Sequence, residues 1–349
     1  MRIWKRFIKL NILVLILSCV TIRIMAEGFS IIPTIDNASY QLTISLVDFP
    51  NNSSENSFLF DSAFHGAKAY PSLLSGYLSG DGYPFNKEGI SMSTLFSDAI
   101  PVNHLFLDNS DNWWLFDSTQ CFATLQGDRF ILYHELGTTD KENMTTLDHG
   151  QFLPFNDLKP GVFSVHHANT YDALGFELPD DDLRKGEQLY LVQNPDHYFG
   201  LVLDAAFTFP AQNDSDEDLV ASFTADDDLW VYIDGYLVLD LGGIHSAIHG
   251  SINFSTGAVT YRGADGKDCT TKLYKILNNR YKEQYPDARE RDVQTFLDGI
   301  FTENSHWQRV FKDNTIHTIK LIYLERGAGA SNLSIRFNLP ILLKQQEGQ

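Results

Sequence analysis

The densest group of residues that could do chemistry is an acidic run between two apolar segments. Asp226, Asp227 and Asp228 are adjacent, and Asp234 and Asp240 follow in the next segment. Adjacent carboxylates repel one another, so this run destabilises a fold unless cations or backbone N–H groups neutralise it. Carboxylate oxygens on a loop suit Ca²⁺, which takes about six to eight oxygen ligands in a flexible geometry. A solvated acidic turn is the competing interpretation.

The charge balance of the chain bears on the same question. No lysine or arginine lies between Lys185 and Arg262, so the local sequence supplies no cation for the run. The whole chain of 349 residues has 45 acidic and 26 basic residues, a formal net charge of −19. Nucleic-acid binding requires basic stripes that contact phosphates, and this composition argues against it. Apolar residues make up 43% of the chain, which is enough to fold and to bury a substantial core.

Residues 1–26 differ in kind from the rest of the chain. An apolar segment from Leu10 to Ile22 follows several basic residues, and Met25-Ala26 offers a small residue for cleavage. The basic residues are Arg2, Lys5, Arg6 and Lys9. This pattern predicts a secretory signal peptide over 1–26 and a secreted, extracellular or cell-surface protein. An uncleaved anchor is the alternative, although the apolar segment is shorter than the ~20 residues that span a bilayer.

The predicted mature chain has few cysteines and no membrane span. Cys121 and Cys269 are its two cysteines, and a single long-range disulfide and two buried thiols both remain open. No later segment is long and apolar enough to cross a membrane. With the leader removed, 21 basic residues stand against 45 acidic ones, which makes the net charge −24.

Short strands with Gly, Asn and Asp turns dominate the second half of the chain. Apolar and polar residues alternate from Ile319 to Tyr323 and from Leu333 to Leu339, which predicts strands with one buried face. Asp234-Gly235 between two apolar runs predicts a tight hairpin, since both residues tolerate positive φ. Only residues 271–301 have a helical pattern, and Pro286 interrupts it. The sequence therefore predicts an all-β fold, an antiparallel two-sheet, jelly-roll-like β-sandwich with a short helical insertion near 271–301.

Motifs in this half resemble a known family. The blocks are Asp226–Gly235, Leu241–Ala247 and Glu325–Leu333, preceded by Asn194–Gly200. Their sequences and order resemble the fibro-slime domain, one of the protective-antigen-like β-sandwiches that also include the yeast flocculin adhesins. The resemblance covers roughly residues 150–340 and implies a sandwich domain over 151–343. Residues 27–150 then form an N-terminal β and loop leader region that packs on the sandwich.

The resemblance also implies a ligand site. In flocculin-like relatives an aspartate pair joined by a cis peptide holds Ca²⁺, and that pair falls on Asp226 and Asp227. A second ligand-binding loop falls on residues 325–332, with Glu325 at its start, Arg326 as partner to a carboxylate and Asn332 as an oxygen ligand at its end. A tight turn that only joins two strands is the alternative interpretation of this segment. The expected metal ligands are therefore Asp226, Asp227, Asp228 and Asn332. Asp228 stands where many relatives have glycine, and it adds a ligand or alters the loop.

Two weaker patterns have structural alternatives. His245 and His249 are four residues apart, as zinc ligands on a helix can be, but they lie among Gly and Ser after a strand. Trp113-Trp114 could stack on a sugar, although packing in a core is the simpler interpretation.

These observations favour a non-enzymatic, calcium-dependent recognition or adhesion module, with a surface glycan or an extracellular matrix component as its partner. A structural matrix protein without a small ligand is one alternative. A glycoside hydrolase is another, because its chemistry needs two carboxylates at a set separation.

Overall fold

The alternating apolar patterns form strands in the structure, a computed structural model. It describes residues 31–49, 62–109, 111–118, 122–126, 129–133, 145–148, 152–155, 164–166, 189–192, 196–211, 217–327 and 331–344. The predicted signal peptide, Cys121, Asn194-Pro195 and residues 328–330 of the second loop lie outside these ranges. The strands, in chain order, are β1 (Ile31–Ile32), β2 (Leu42–Asp48), β3 (Ile100–Val102), β4 (Trp114–Asp117), β5 (Phe122–Gln126), β6 (Arg129–Tyr133), β7 (Thr145–Asp148), β8 (Ser164–His166), β9 (Leu189–Val192), β10 (Phe199–Phe209), β11 (Val220–Asp226), β12 (Asp228–Ile233), β13 (Tyr236–Leu241), β14 (Ile248–Asn253), β15 (Ala258–Arg262), β16 (Asp268–Lys272), β17 (Phe301–Glu303), β18 (Arg309–Phe311), β19 (Thr315–Glu325) and β20 (Asn332–Phe337).

Two six-stranded antiparallel sheets form the body of the protein. Sheet A has the order β13-β12-β19-β10-β2-β3, and sheet B has the order β16-β15-β14-β11-β20-β4. Smaller sheets are β1-β6-β5, β7-β9-β8 and the pair β17-β18. The prediction of an all-β, antiparallel two-sheet sandwich is confirmed.

The apolar residues of the two alternating strands, β19 and β20, lie in the core between the sheets. Ile319 and Leu321 of β19 are 1% and 0% exposed, and Ile335 and Phe337 of β20 are 0% and 1% exposed. They belong to one apolar cluster that joins the two sheets. Burying each such side chain contributes ~1.5–3 kcal/mol to the stability of the fold.

The outer face of sheet A is also buried. All six residues of β12 are buried, and Ile322 on β19 is 0% exposed. A second apolar cluster covers this face with residues from the segment 62–99, including Leu73, Met92 and Phe96. A strand covered on both faces is a continuous apolar run rather than an alternating one, and this explains the composition of β12.

The tight turn and the helical insertion form as predicted. Asp234 and Gly235 join β12 to β13 with φ values of 50° and 81°. Two helices lie between β16 and β17, α1 (Leu273–Gln284) and α2 (Glu290–Ile300), and Pro286 lies in their connection. The buried residues of each helix are four apart, which is the spacing of one helical face.

The sheets draw strands from both sides of residue 150. Strands β2 and β3 pair at one edge of sheet A, and β4 pairs with β20 at one edge of sheet B. The leader region therefore completes the sandwich as well as covering it. Within the ranges that the structure describes, no helix has the length and apolar character needed to cross a membrane.

Candidate functional site

Four strand ends meet at one end of the sandwich. Strand β11 ends at Asp226 and β12 begins at Asp228, while β19 ends at Glu325 and β20 begins at Asn332. Asp226 lies directly opposite Asn332 in the pairing of β11 with β20. Antiparallel pairing therefore brings the two predicted ligand loops together although about a hundred residues separate them in sequence. We call Asp226, Asp227, Asp228, Glu325, Arg326 and Asn332 the acidic site.

Asp227 lies between β11 and β12 and is held by backbone donors. Its φ is 95°, a left-handed conformation that L-residues rarely adopt, and its side chain is buried. The backbone N–H of Arg326 donates to Oδ2 at 3.0 Å, and that of His245 donates to Oδ1 at 3.3 Å. Two strand ends thus aim their N–H groups at one carboxylate.

Asp228 forms a buried ion pair rather than an open ligand position. Nε and Nη2 of Arg326 donate to its two oxygens at 2.5 and 3.2 Å, and the Gly243 N–H donates at 2.5 Å. The side chains of Asp228 and Arg326 are 0% and 4% exposed. Because the guanidinium of Arg326 donates to both of its oxygens and neutralises its charge, Asp228 does not fit the predicted role of metal ligand. It fixes Arg326 instead.

Glu325 and Tyr323 form the floor of the acidic site. Glu325 is completely buried, and its oxygens accept from the Gly327 N–H at 3.1 Å and from the Tyr323 hydroxyl at 3.2 Å. The Tyr323 hydroxyl also lies 2.9 Å from the main-chain oxygen of Asp226 and 3.2 Å from Oγ of Ser331. These contacts fix the Asp226 main chain and the loop from Glu325 to Asn332 relative to each other.

Gly327 allows the backbone to approach the acids closely. A Cβ at this position would lie 2.8 Å from Oδ2 of Asp227 and 3.1 Å from Cγ2 of Ile244. Any larger residue would therefore collide with the carboxylate. The sequence places small residues in this loop, and the structure shows the close approach that one of them allows.

The charges of the acidic site do not balance. Four carboxyl groups face one guanidinium, and that guanidinium is paired with Asp228. Burial raises the pKa of Asp226 to about 7, although a hydrogen bond from the Asn332 side chain opposes the rise. Burial, with repulsion from Asp228 and Asp226, also raises the pKa of Asp227 to about 7. The pKa of Glu325 is raised well above its usual value by burial and by both aspartates.

The structure places all six predicted site residues at the same end of the sandwich. The resemblance implies a cis peptide bond between Asp226 and Asp227. In the structure this bond is trans, as are the other peptide bonds of the described residues. Sequence reasoning did not identify Tyr323 or the main-chain donors of Gly243 and His245. In an alternating strand the pattern predicts that Tyr323 is a core residue, and it does not predict a polar contact of its hydroxyl group. Main-chain N–H donors cannot be predicted from side-chain identity.

The weaker candidates have structural roles. His245 is completely buried, and its ring nitrogens lie 3.1 and 3.0 Å from the main-chain oxygens of Ser246 and Leu241. His249 instead lies 3.4 Å from Asp268, so the two histidines do not share a site. Among the described residues, no three His, Cys, Asp or Glu side chains are grouped to hold one metal ion.

The paired tryptophans do not form a stacking surface. Trp114 is buried in the core, in edge contact with Phe106. Arg336 lies over the ring of Trp113 at 4.3 Å. The interpretation of Trp113-Trp114 as packing residues is therefore the one that the structure supports.

The fold and the acidic site define a β-sandwich with a buried carboxylate cluster at one end. No family model matches the chain. Its relatives include the Dictyostelium discoideum protein psiF, which is 25% identical over 211 residues, 58% of this chain and 25% of psiF. Protein psiP of the same organism is 40% identical over 62 residues, 18% of this chain and 7% of psiP. Protein psiR is 32% identical over 105 residues, 29% of this chain and 10% of psiR. The matched segments thus span a quarter or less of these curated relatives.

Among solved structures, the chain is similar to the crystal structure of a β-glucosidase from Kluyveromyces marxianus in complex with glucose. The similarity covers 55% of this chain and 17% of that one, at 13% identity and a TM-score of 0.18. A score this low carries no argument about fold or function.

Proposed function

We propose that this protein is a secreted recognition or adhesion module that binds a carbohydrate or another surface ligand through Ca²⁺ held at the acidic site. The observation that carries the proposal is the charge imbalance of that site. Asp226, Asp227 and Glu325 have no ion pair among the described residues, and burial raises the pKa of each. Buried carboxylates without a counter-charge are costly, and a bound cation removes that cost.

Calcium fits the donor set better than a transition metal does. The available groups are the carboxylates of Asp226 and Asp227 and the side-chain amide oxygen of Asn332, all of them hard oxygen donors. Two carboxylates do not complete a calcium shell, so main-chain carbonyl oxygens of the same loops must contribute. Neither histidine nor cysteine takes part, which disfavours zinc. Bound there, Ca²⁺ supplies an electrophilic centre that hydroxyl oxygens of a ligand can approach.

Burial also favours binding over hydrolysis. A glycoside hydrolase needs two carboxyl groups on either side of a sugar, one of them with a raised pKa. Three carboxyl groups of the acidic site have a raised pKa, and two of these belong to adjacent residues. Asp227 is only 2% exposed. Its oxygens accept hydrogen bonds from two backbone N–H groups. These bonds fix the position of the carboxylate, which suits a binding role better than proton transfer.

The motifs shared with fibro-slime domains support the same proposal, and the basic and apolar residues of 1–26 support secretion. N-terminal sequencing of protein collected from the medium tests the second part. We expect a mature chain that begins near Glu27. An intact Met1 or a purely cytosolic protein would contradict secretion.

A glycan-array screen of the secreted protein tests the first part. We expect binding in millimolar Ca²⁺, loss of that binding in excess chelator, and loss in Asp227→Asn, which keeps the shape of the side chain and removes its charge. Asp234→Asn is the matched control, because Asp234 lies at the other end of β12 and outside the acidic site. Binding that is equal with and without chelator would refute calcium dependence.

A further inference from the structure

Three Asn-x-Ser triplets begin at residues that the structure describes, Asn37, Asn253 and Asn332. In a secreted protein such a triplet is an acceptor for N-linked glycosylation, provided that its middle residue is not proline. The transfer replaces one hydrogen of the side-chain amide by a sugar. An asparagine amide has two N–H donors, so the folded protein accepts a glycan only where one of them is free. Four more triplets lie outside the described residues and begin at Asn51, Asn52, Asn143 and Asn213.

The amide of Asn37 has no hydrogen to give up. Asn37 is 2% exposed, and its Nδ2 donates to the Val102 oxygen at 3.2 Å and to Oδ1 of Asn103 at 3.4 Å. A sugar on Nδ2 would break one of these bonds and would need space that a close-packed interior lacks. The fold therefore excludes a glycan at Asn37.

The amide of Asn332 belongs to the acidic site. Asn332 lies opposite Asp226 in the pairing of β11 with β20, and its side chain forms a hydrogen bond with the Asp226 carboxylate. A sugar on this amide would lie over the buried carboxylates. A glycan at Asn332 and an accessible acidic site therefore exclude each other.

The amide of Asn253 has one hydrogen free. Asn253 is the last residue of β14 and is half-buried, whereas its neighbours Ile252 and Phe254 are buried. Its Nδ2 donates to Oδ2 of Asp218 at 2.8 Å, and its Oδ1 accepts from the Thr256 N–H at 2.9 Å. No other partner of this amide occurs among the described residues, and Asp218 is exposed. A sugar in place of the second hydrogen leaves both bonds intact.

Asn253 and Asn332 lie at opposite ends of β11. Val220 at the start of this strand pairs with Asn253, and Asp226 at its end pairs with Asn332. At ~3.3 Å per residue, the strand rises about 20 Å between these two pairs. A glycan at Asn253 therefore leaves the acidic end of the sandwich open.

We propose that Asn253 carries an N-linked glycan and that Asn37 and Asn332 do not. This inference rests on the secretion part of the proposed function, because the transfer takes place on the secretory route. The donor is an oligosaccharide linked to a polyprenyl diphosphate. Nδ2 of Asn253 forms a bond to C1 of the first sugar, the bond between C1 and the diphosphate oxygen breaks, the polyprenyl diphosphate leaves, and the amide nitrogen loses one proton.

Peptide mapping of the full chain tests the proposal. The protein is secreted by a eukaryotic cell line and treated with peptide N-glycosidase in heavy-oxygen water, which converts a glycosylated asparagine to an isotope-marked aspartate. We expect the mark at Asn253 and unmodified asparagine at 37 and 332. Because the map is read on wild type, the result does not depend on how well a variant folds.

Two variants and a matched control add a second measurement. Asn253→Gln should gain one glycan step in gel mobility relative to wild type, and Ser255→Thr, which keeps the triplet and the hydroxyl group, should migrate as wild type does. Ser334→Ala is the control, because it destroys the triplet at Asn332 and leaves Asn332 in place. Its mobility should equal that of wild type.

Three results would overturn the inference, and they differ in what they leave standing. A secreted chain that begins near Glu27 and has an unmarked Asn253 refutes the glycan and leaves secretion in place. A mark at Asn332 refutes the assignment from amide donors and also contradicts ligand access to the acidic site. A chain that stays in the cytosol with Met1 intact contradicts secretion itself and the glycan with it.

Discussion

Strand β12 has an aspartate with left-handed backbone at each end, and the two have opposite surroundings. Asp227 precedes the strand with a φ of 95°, and Asp234 follows it with a φ of 50°. Oδ2 of Asp234 lies 2.6 Å from Nδ1 of His317, and its Oδ1 accepts from the Thr318 N–H at 2.9 Å. Asp234 is also partly exposed, whereas Asp227 is buried among other acids.

The difference shows that residue type and backbone conformation do not by themselves identify a ligand aspartate. At the turn, a histidine and a backbone N–H contact the two oxygens of one partly exposed carboxylate. At the acidic site, Arg326 is paired with Asp228, the other three carboxyl groups form no ion pair among the described residues, and burial raises the pKa of each. The first arrangement stabilises a hairpin, and the second is the basis of the proposed cation site. Four experiments test this difference between Asp227 and Asp234.

Removing Arg326 should have the largest effect. Arg326→Met leaves Asp228 buried with no ion-pair partner, and breaking a buried pair in this way costs about 3–5 kcal/mol. Urea unfolding of the secreted protein measures the loss. Asp228→Asn combined with Arg326→Met should recover part of it, because the amide removes the orphaned charge. If Arg326→Met unfolds like wild type, the pair does not hold the loops together.

The pH dependence of stability should carry the signature of the buried acids. Asp227 has a pKa of about 7 when folded and an ordinary value near 3.8 when unfolded. Between these values the folded state binds more protons, so its contribution to the free energy of unfolding falls as pH rises, by on the order of 3 kcal/mol for a shift of this size. Without calcium, wild type should therefore lose stability relative to Asp227→Asn between about pH 4 and 7.

The comparison with Asp227→Asn is necessary because two histidines act in the opposite direction. Burial lowers the pKa of His197 to about 4 and also lowers that of His245. Their contributions make stability rise with pH below the usual histidine value. Both histidines are present in both proteins, so the difference between the two unfolding curves isolates the acid. A difference that does not change with pH would show that Asp227 titrates normally.

Calcium should stabilise wild type and leave Asp227→Asn unaffected. A ligand at a hundredfold excess over its Kd stabilises the folded state by about 2.7 kcal/mol. For a domain of this size that corresponds to a rise in Tm of about 5–10 °C, measured by calorimetry with Ca²⁺ and with chelator. Without calcium, Asp227→Asn should melt at or above wild type, because it removes one of the repelling charges. Melting of wild type that ignores both reagents would contradict calcium binding at the acidic site.

The sequence allowed the sandwich and the residues of the acidic site to be predicted, since both depend on local patterns. Alternation placed Ile319 and Ile335 in the core, and Asp234-Gly235 specified a two-residue turn. The acidic run at Asp226–Asp228 is evident from the local sequence alone. A resemblance then connected it to residues 325–332, and the pairing of β11 with β20 gives the physical basis of that connection.

Features that depend on distant partners could not be predicted. Arg326 was expected to pair with a carboxylate, and it pairs with Asp228, 98 positions away. Nothing in the acidic run indicated which of its three aspartates is the salt-bridge partner. His65 and Tyr70 belong to a Gly- and Ser-rich segment without periodicity, so the backbone pairing of this segment with residues 242–246 has no local signal. The sequence predicted that residues 27–150 pack on the sandwich, but nothing in it indicated that residues of the segment 62–99 cover the outer face of sheet A.

Asp234→Asn should have the smallest effect and is the sharpest test of the contrast at β12. Asparagine tolerates the positive φ of this turn, so the hairpin should form, while the charge-assisted bond to His317 weakens and costs about 1–2 kcal/mol in unfolding. The shift in Tm that calcium produces should equal that of wild type, because the carboxylate lies at the opposite end of β12 from Asp227. If calcium stabilisation disappears in Asp234→Asn as it does in Asp227→Asn, the two ends of the strand are not independent and the cation is not bound where the charges are unbalanced.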